Sequence, residues 1–372
     1  MKIVELDITY KAFFALLRAG LWNRKPESDC FPLSPEVWKR VYTLAHKQTV
    51  QGIVYDGIIR LSDNHFPPRD LLLKWVVVVN AIEDRNKQMN KVAGELYEVF
   101  TKNNITSLLL KGQGVAAHYD HPLHRECGDI DWFFPDKQNF DRANKLIAKS
   151  GIKIKKQALF SKFYIWRGIV VEHHCRMPDI DNPFLIPYLK RLLQQEYEHS
   201  ACLNLNEQMI RLPSPLLTHL SVNTHIMKHV FASGVGLRQL CDSARVCYAY
   251  HHKIEAETLK KVYGKLGIYH WVQLLNSLLV NYLEMPEEYA SVPLAPQQKA
   301  DWMIRDILQS GNFGFYGGPC SKSTDVPQMK KKFYHVIERL IRYVRYVRYT
   351  PSEACWNPIV VIYSHIRNGF IR

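Results

Sequence analysis

The 372-residue chain is expected to adopt an α+β fold, a mixed β-sheet core flanked in sequence by N-terminal and C-terminal helical regions, and three features support this. Apolar residues recur at helical spacing up to about residue 102, and again beyond Pro215. Between those regions lie short apolar runs and alternating segments of strand length. Glycine-containing turns separate them. The expected organisation is a helical region over 1–103, an α/β core over 104–200, and a helical region with a basic tail over 201–372.

In the first region the helical pattern runs through Phe13, Leu16, Leu17 and Leu21, then Val41, Leu44, Val50 and Ile53, with Pro32, Pro35, Pro67 and Pro68 separating helices. From Leu71 to Phe100, Trp75 and Val76 to Val79 have strand propensity. Their polar flanks keep helical periodicity, so a helix is expected. The core then reads as a strand over 105–110, a glycine turn and short helix to about Tyr119, a polar loop, and a strand over 130–134. A helix over 138–150 follows, with strands over 152–154, 160–166 and 169–174, the last two joined by a turn at Arg167 and Gly168. Pro178 to Pro187 reads as loop, and Pro215 to Leu283 as helix. The cluster Gly311, Gly314, Gly317, Gly318 and Pro319 lacks the Lys-Ser/Thr ending of a P-loop and reads as loop. A last helix is expected over 329–349.

Hydrophobic residues at 47% and charged residues at 23% exclude global disorder. The formal charge of +14 favours anionic partners, and half of it lies in the final segment. From Lys330 to Arg372, nine Lys or Arg face only Glu338 and Glu353. The eight cysteines show no CxxC pair, which argues against a zinc knuckle and a disulfide framework. An acidic N-terminus and the lack of any apolar run near the ~18 residues needed to span a bilayer lead to the expectation of a cytoplasmic protein without a transmembrane segment.

The chemistry concentrates in two strings. Leu108, Lys111, Gly112, Gln113 and Gly114 form a phosphate-cradling turn. Shortly after come Arg125, Gly128, Asp129 and Asp131, with Trp132, Phe133 and Phe134 marking a buried strand. Alternation along a strand puts Asp129 and Asp131 on one face, about 6 to 7 Å apart at Cα, where they could grip a divalent ion. Phosphoryl and nucleotidyl transfer depend on positioned ions and donors around a charged phosphate, and two-ion sites usually need a further carboxylate. Glu172 is that candidate, since an acid inside a buried-looking strand is costly unless paired with a cation.

The ordered set Lys111, Gly112, Tyr119, Pro122, Arg125, Gly128, Asp129 and Asp131 resembles the uncharacterised nucleotidyltransferase family of the polymerase-β-like superfamily. It is also similar to the core of nucleotidyltransferase toxins from bacterial abortive-infection systems. The resemblance covers roughly residues 105–175. It implies a minimal nucleotidyltransferase fold using Mg²⁺ (or Mn²⁺) and a nucleoside triphosphate such as ATP. On it, Asp129, Asp131 and Glu172 match the metal-binding and catalytic carboxylates and Gly112 the glycine that opens the phosphate-side helix, and the expected nucleotide-binding residues are Lys111, Gly112, Gln113, Gly114, Arg125 and Gly128. Where the superfamily normally has Gly or Ser after the first glycine, this chain has Gln113. A fainter match runs through His219, His225, His229, Arg238 and Asp242.

Other readings stay open for single residues. Lys111 touches the triphosphate or salt-bridges a site carboxylate, and Arg125 binds phosphate or is a surface cation. His173 and His174 read as structural, His225 and His229 as a helix-packing pair, and Arg238 with Asp242 as an intrahelical ion pair. In the last helix Arg339, Arg342, Arg345 and Arg348 interleave with Tyr343, Tyr346 and Tyr349, a composition suited to RNA or anionic lipid, while Ile337, Ile341, Val344 and Val347 are expected to pack inward. The expected activity is transfer of a nucleoside monophosphate to an unknown hydroxyl acceptor on protein, RNA or a small molecule, with release of pyrophosphate. The alternatives are an Asp-x-Asp glycosyltransferase using a sugar nucleotide, and an inactive nucleotide- or RNA-binding relative.

Overall fold

The computed structural model describes residues 7–27, 29–296, 300–314 and 328–369, so the N-terminal residues 1–6 and the positions Gly317, Gly318, Pro319 and Cys320 lie outside the described residues. The helices are α1 (Ile8–Leu21), α2 (Pro35–Lys47), α3 (Gln51–Ile58), α4 (Arg69–Lys102), α5 (Lys111–Ala116), α6 (Lys137–Lys149), α7 (Ile186–Tyr197), α8 (Pro215–Ala232), α9 (Leu237–Tyr250), α10 (Ala256–Leu266), α11 (Tyr269–Leu283), α12 (Asp301–Ser310), α13 (Gln328–Tyr346) and α14 (Pro351–Gly369). The strands are β1 (Leu108–Leu109), β2 (Ile130–Phe133), β3 (Lys155–Ala158), β4 (Ser161–Trp166), β5 (Ile169–His174), β6 (Ala201–Leu205) and β7 (Gln208–Leu212). Among the described residues no helix is long and apolar enough to cross a membrane. The chain forms two units that interleave in sequence, one of Met1–Glu83, Tyr119–Glu126 and Ile226–Pro351, the other of Asp84–His118, Cys127–His225 and Ser352–Arg372.

The first unit is helical. α1 and α3 approach closely through reciprocal glycines: a Cβ on Gly20 would collide with the Ile53 carbonyl, and one on Gly57 with the Leu16 carbonyl. Phe13, Phe14, Leu16 and Leu17 are thereby fully buried. Two polar clusters tie the short segment 119–126 to this helical body. His124 sits between two carboxylates, with Nδ1 2.6 Å from Asp56 and Nε2 2.8 Å from Glu83. Burial opposes its charging, but the two acids prevail and raise its pKa above the ordinary histidine value. Arg125, itself buried, forks onto Asp242 of α9, Nε to Oδ1 at 3.0 Å and Nη2 to Oδ2 at 2.6 Å, and the Tyr119 hydroxyl donates to Asp242 Oδ1 at 2.8 Å.

The reading of Arg238 and Asp242 as an intrahelical pair is corrected here. Asp242 spends its hydrogen-bonding capacity on Arg125 and Tyr119, and Arg238 Nη1 donates instead to the Glu126 carbonyl at 2.6 Å. α13 also reverses the expected packing. Tyr343 and Tyr346 are buried, as is Tyr349 beyond the helix, while Ile337, Ile341, Val344 and Val347 are exposed. Helical spacing reveals two stripes on this helix but not which one meets the protein. The arginines alternate with aromatic rings that Phe231, Trp271 and Trp302 can cover.

The second unit holds a five-stranded mixed sheet in the order β1-β2-β5-β4-β3, in which only β2 and β5 run parallel. One face buries Ile130, Trp132, Phe134, Tyr164, Ile169 and Val171 with Val92, Leu96 and Phe100 of α4 and Phe140, Ala143 and Ile147 of α6. The strand expected over 152–154 is displaced to β3, whose Lys155, Lys156 and Gln157 carry no strand pattern. It is an edge strand, paired through its backbone with β4, and an edge tolerates polar and charged side chains. A β6–β7 hairpin also forms, turning at Asn206 and Glu207 with φ of 50° and 70°. That backbone usually announces itself as Asn-Gly, so its sequence signal is weak.

Removing the acid of a buried fork leaves an uncompensated guanidinium. Asp242→Ala is therefore expected to cost about 3–5 kcal/mol in thermal or urea unfolding. For His124 the folded-state pKa is raised, so its contribution is fully present below about pH 6.5 and is lost as pH rises through the higher folded value. Subtracting the Tm-versus-pH curve of His124→Gln from that of wild type should reveal this loss on the alkaline side; a flat difference curve would contradict it.

Candidate active site

Strand alternation builds the site. On β2, Ile130, Trp132 and Phe134 go to the core, leaving Asp129 and Asp131 on the opposite side; on β5, Ile169, Val171 and His173 go to the core, leaving Glu172 and His174. The parallel register sets Asp131 beside Glu172. His174 Nε2 then lies 2.7 Å from Asp131 Oδ1 and 3.4 Å from Glu172 Oε2. Ligand atoms of Asp131, Glu172 and His174 all fall within 4.8 Å of one another, two carboxylate oxygens and one imidazole nitrogen. That set suits a hard divalent ion. Asp129, half-buried just ahead of β2, is not part of this group of three.

The two histidines that follow Glu172 have separate fates. His173 is fully buried among Phe100, Phe134 and Tyr164, its Nε2 2.9 Å from the Tyr164 hydroxyl, and burial holds it neutral. His174 faces the acids, which push its pKa upward against the opposing effect of burial. Lys111 contributes the second positive charge, with Nζ 3.9 Å from Asp131 Oδ2. Burial disfavours an ionised Asp131, yet Lys111 and then His174 hold its carboxyl well below the usual carboxylate range. The structure thus has Lys111 salt-bridging a site carboxylate.

Lys111 opens the turn from β1 into α5, pinned by the Leu110 amide donating to the Asp131 carbonyl at 2.9 Å. Gly112 follows at φ 42° and ψ −114°, where a Cβ would stand 3.3 Å from the Asp129 carbonyl oxygen. Only glycine takes that conformation at little cost. Gly114 meets Leu212 of β7 closely in the same way that a packing contact does, a Cβ there falling 3.3 Å from the leucine methyl. Gln113 is buried, and neither its Oε1 nor its Nε2 has a hydrogen-bond partner. Gly128 is exposed and its carbonyl accepts from Arg85 Nη2 at 3.3 Å. Arg125 belongs to the other unit, where its guanidinium pairs with Asp242.

Besides His174, two more residues not assigned to the site from sequence join it. His225 of α8, expected to pack with His229, lies with Nδ1 3.0 Å from Lys111 Nζ and 3.1 Å from Asp179 Oδ2. Burial and Lys111 lower its pKa to about 4, so the imidazole is neutral. Asp179 comes from the loop after β5. Its amide donates to Thr224 Oγ1 at 3.1 Å, while Glu353 of α14 accepts from the amides of Asp181 at 2.6 Å and Asn182 at 3.2 Å. Burial pushes the Glu353 carboxyl up to about 7. The faint histidine segment was the only sequence signal for His225, and Asp179 sits in a second Asp-x-Asp, Asp179 and Asp181, inside a stretch that read as loop.

The family model for an uncharacterised nucleotidyltransferase matches residues 34–283, well over half of the chain. No curated protein matches it. Among solved structures, it is similar to an antigenic nucleotidyltransferase-like protein from Paracoccidioides brasiliensis, with 15% identity, 53% of this chain and 92% of that one covered, and a TM-score of 0.32. The family match contains the turn at Lys111 and Gly112, both strands that bear Asp131, Glu172 and His174, and the α8 and α9 segments, so the chain belongs to the uncharacterised nucleotidyltransferase family and is a nucleotidyltransferase.

Proposed function

We propose that the protein transfers a nucleoside monophosphate from a nucleoside triphosphate to a hydroxyl acceptor, with release of pyrophosphate, using Mg²⁺ or Mn²⁺. The observation that carries this reading is the register of β2 against β5, which brings Asp131, Glu172 and His174 into one donor group beside Lys111. Asp131 and Glu172, together with Asp129, would hold the ion, and His174 would complete the set once it gives up its proton. A bound divalent ion supplies charge that neutralises the triphosphate and the departing pyrophosphate.

The chain's own groups account for the rest. Lys111, positioned by Asp131 and His225, offers ammonium donors to phosphate oxygens. The backbone N–H groups of 112–114, on the turn that Gly112 bends with its positive φ, are assigned to the phosphates. The orphaned amide of Gln113 is a buried donor and acceptor whose cost is relieved by a polar ligand. Glu172 is the group we assign to receive the acceptor's proton. Arg125 has its donors engaged by Asp242 and takes the role of fastening the segment that leads into β2. The acceptor is a hydroxyl on protein, RNA or a small molecule.

Asp131→Asn and Glu172→Gln are each expected to reduce pyrophosphate release on the order of 10²-fold or more, with an unfolding midpoint that shows the fold retained. Incubation with each α-labelled triphosphate and Mg²⁺ identifies the donor. Unaltered turnover in both variants sinks the reading, and release of a nucleoside diphosphate from a sugar nucleotide would put a glycosyltransferase in its place. Gln113→Met removes a buried amide that has no protein partner, so stability should hold or rise. KM for the triphosphate should increase about tenfold if that amide meets a phosphate, and equal KM values would remove Gln113 from the nucleotide site.

A further inference from the structure

The outward face of α13 is apolar where a surface helix is normally polar. Val344 is 76% exposed, and Val336, Leu340 and Ile341 are each more than half exposed, with Ile337 and Val347 beside them. At 100° per residue, positions 336, 337, 340, 341 and 344 fall within an arc of about 140°. The opposite side holds the helix in its unit. Tyr343 and Tyr346 lie against Phe231, with ring centroids at 5.3 and 6.2 Å, and Arg342 directs Nη1 to the Val230 carbonyl at 3.3 Å. The exposed stripe is therefore a built feature of an anchored helix.

Basic residues flank it in the sequence. Lys330, Lys331 and Lys332 precede the stripe in the sequence, Arg345 and Arg348 follow it, and from Lys330 to Arg372 only Glu338 and Glu353 oppose nine Lys or Arg. Charge decides among the occupants that would cover such a face. A second copy of the chain would bring the same positive excess against itself. Single-stranded RNA is bound by aromatic side chains on which bases stack, and here Tyr343, Tyr346 and Tyr349 are all buried. An anionic bilayer matches both halves of the pattern, since aliphatic side chains enter the headgroup and acyl boundary while Lys and Arg meet lipid phosphates.

We propose that α13 is a peripheral membrane-binding helix that lays the Val336, Leu340, Ile341 and Val344 face on an anionic phospholipid surface. The proposal does not rest on the role of the nucleotide-transfer residues. Co-sedimentation of the full chain with vesicles of phosphatidylcholine, and of phosphatidylcholine mixed with phosphatidylglycerol, tests it. The expected result is binding to the anionic vesicles that weakens with salt, little binding to the neutral ones, and about a tenfold fall in bound fraction for the double substitution L340Q/V344Q. Both positions are exposed, so a thermal melt should show the fold unchanged. The proposal is overturned by absent binding to anionic vesicles, by equal binding of the double variant, by a concentration-dependent dimer that L340Q/V344Q dissolves in place of vesicle binding, or by preferential binding of a mixed-sequence RNA through the same residues.

Discussion

The parallel pairing of β2 with β5 is the constraint from which the rest of the catalytic unit follows. It sets Asp131 directly beside Glu172 on a sheet whose other face is closed by aromatic and aliphatic side chains. Two carboxylates at that spacing in a largely dry environment repel each other and lose hydration. Positive charge must be brought to them. Lys111 arrives from the turn after β1, and His174 from the same strand as Glu172, two residues on and therefore on the same face. Between them they supply the positive charge that the two acids need.

The supports of Lys111 extend that constraint outward. His225 accepts from the ammonium group, Asp179 flanks His225, and the loop carrying Asp179 is itself tied down by Thr224 and Glu353. Each step moves from a charged site to a buried polar partner further along the chain. Such a network holds a side chain in place only when its members are satisfied. Gln113, on the turn that follows Lys111, is by contrast a buried amide without a protein hydrogen-bond partner.

In the helical unit, sequence elements that resembled the family beyond the carboxylates meet one another. Tyr119, Arg125 and Asp242 form one buried hydrogen-bonded cluster, and His124 adds a second between Asp56 and Glu83. Their spacing along the chain suggested separate motifs. Folded, they fix the short segment that leads toward β2, which explains why residue types expected at a phosphate site are spent on a carboxylate.

Much of this was already legible in the chain. Alternation in 129–134 and 169–174 determined which residues share a face, so the separation of Asp131 and Glu172 from the aromatic core followed from period two alone, and the polar flanks within 71–100 pointed to the helix that runs from Arg69 to Lys102. The glycine at 112 likewise marked a turn that no other residue makes cheaply. Tertiary structure decided the partners. That Asp242 chooses Arg125 over Arg238, that His174 joins the acids while His173 enters the core, that His225 reaches Lys111, and that α13 turns its tyrosines inward all depend on contacts between residues far apart in sequence. Periodicity tells which side chains point together; it carries no information on what stands opposite them, because that is set by the packing of distant elements and the competition among charges for a limited set of counter-charges.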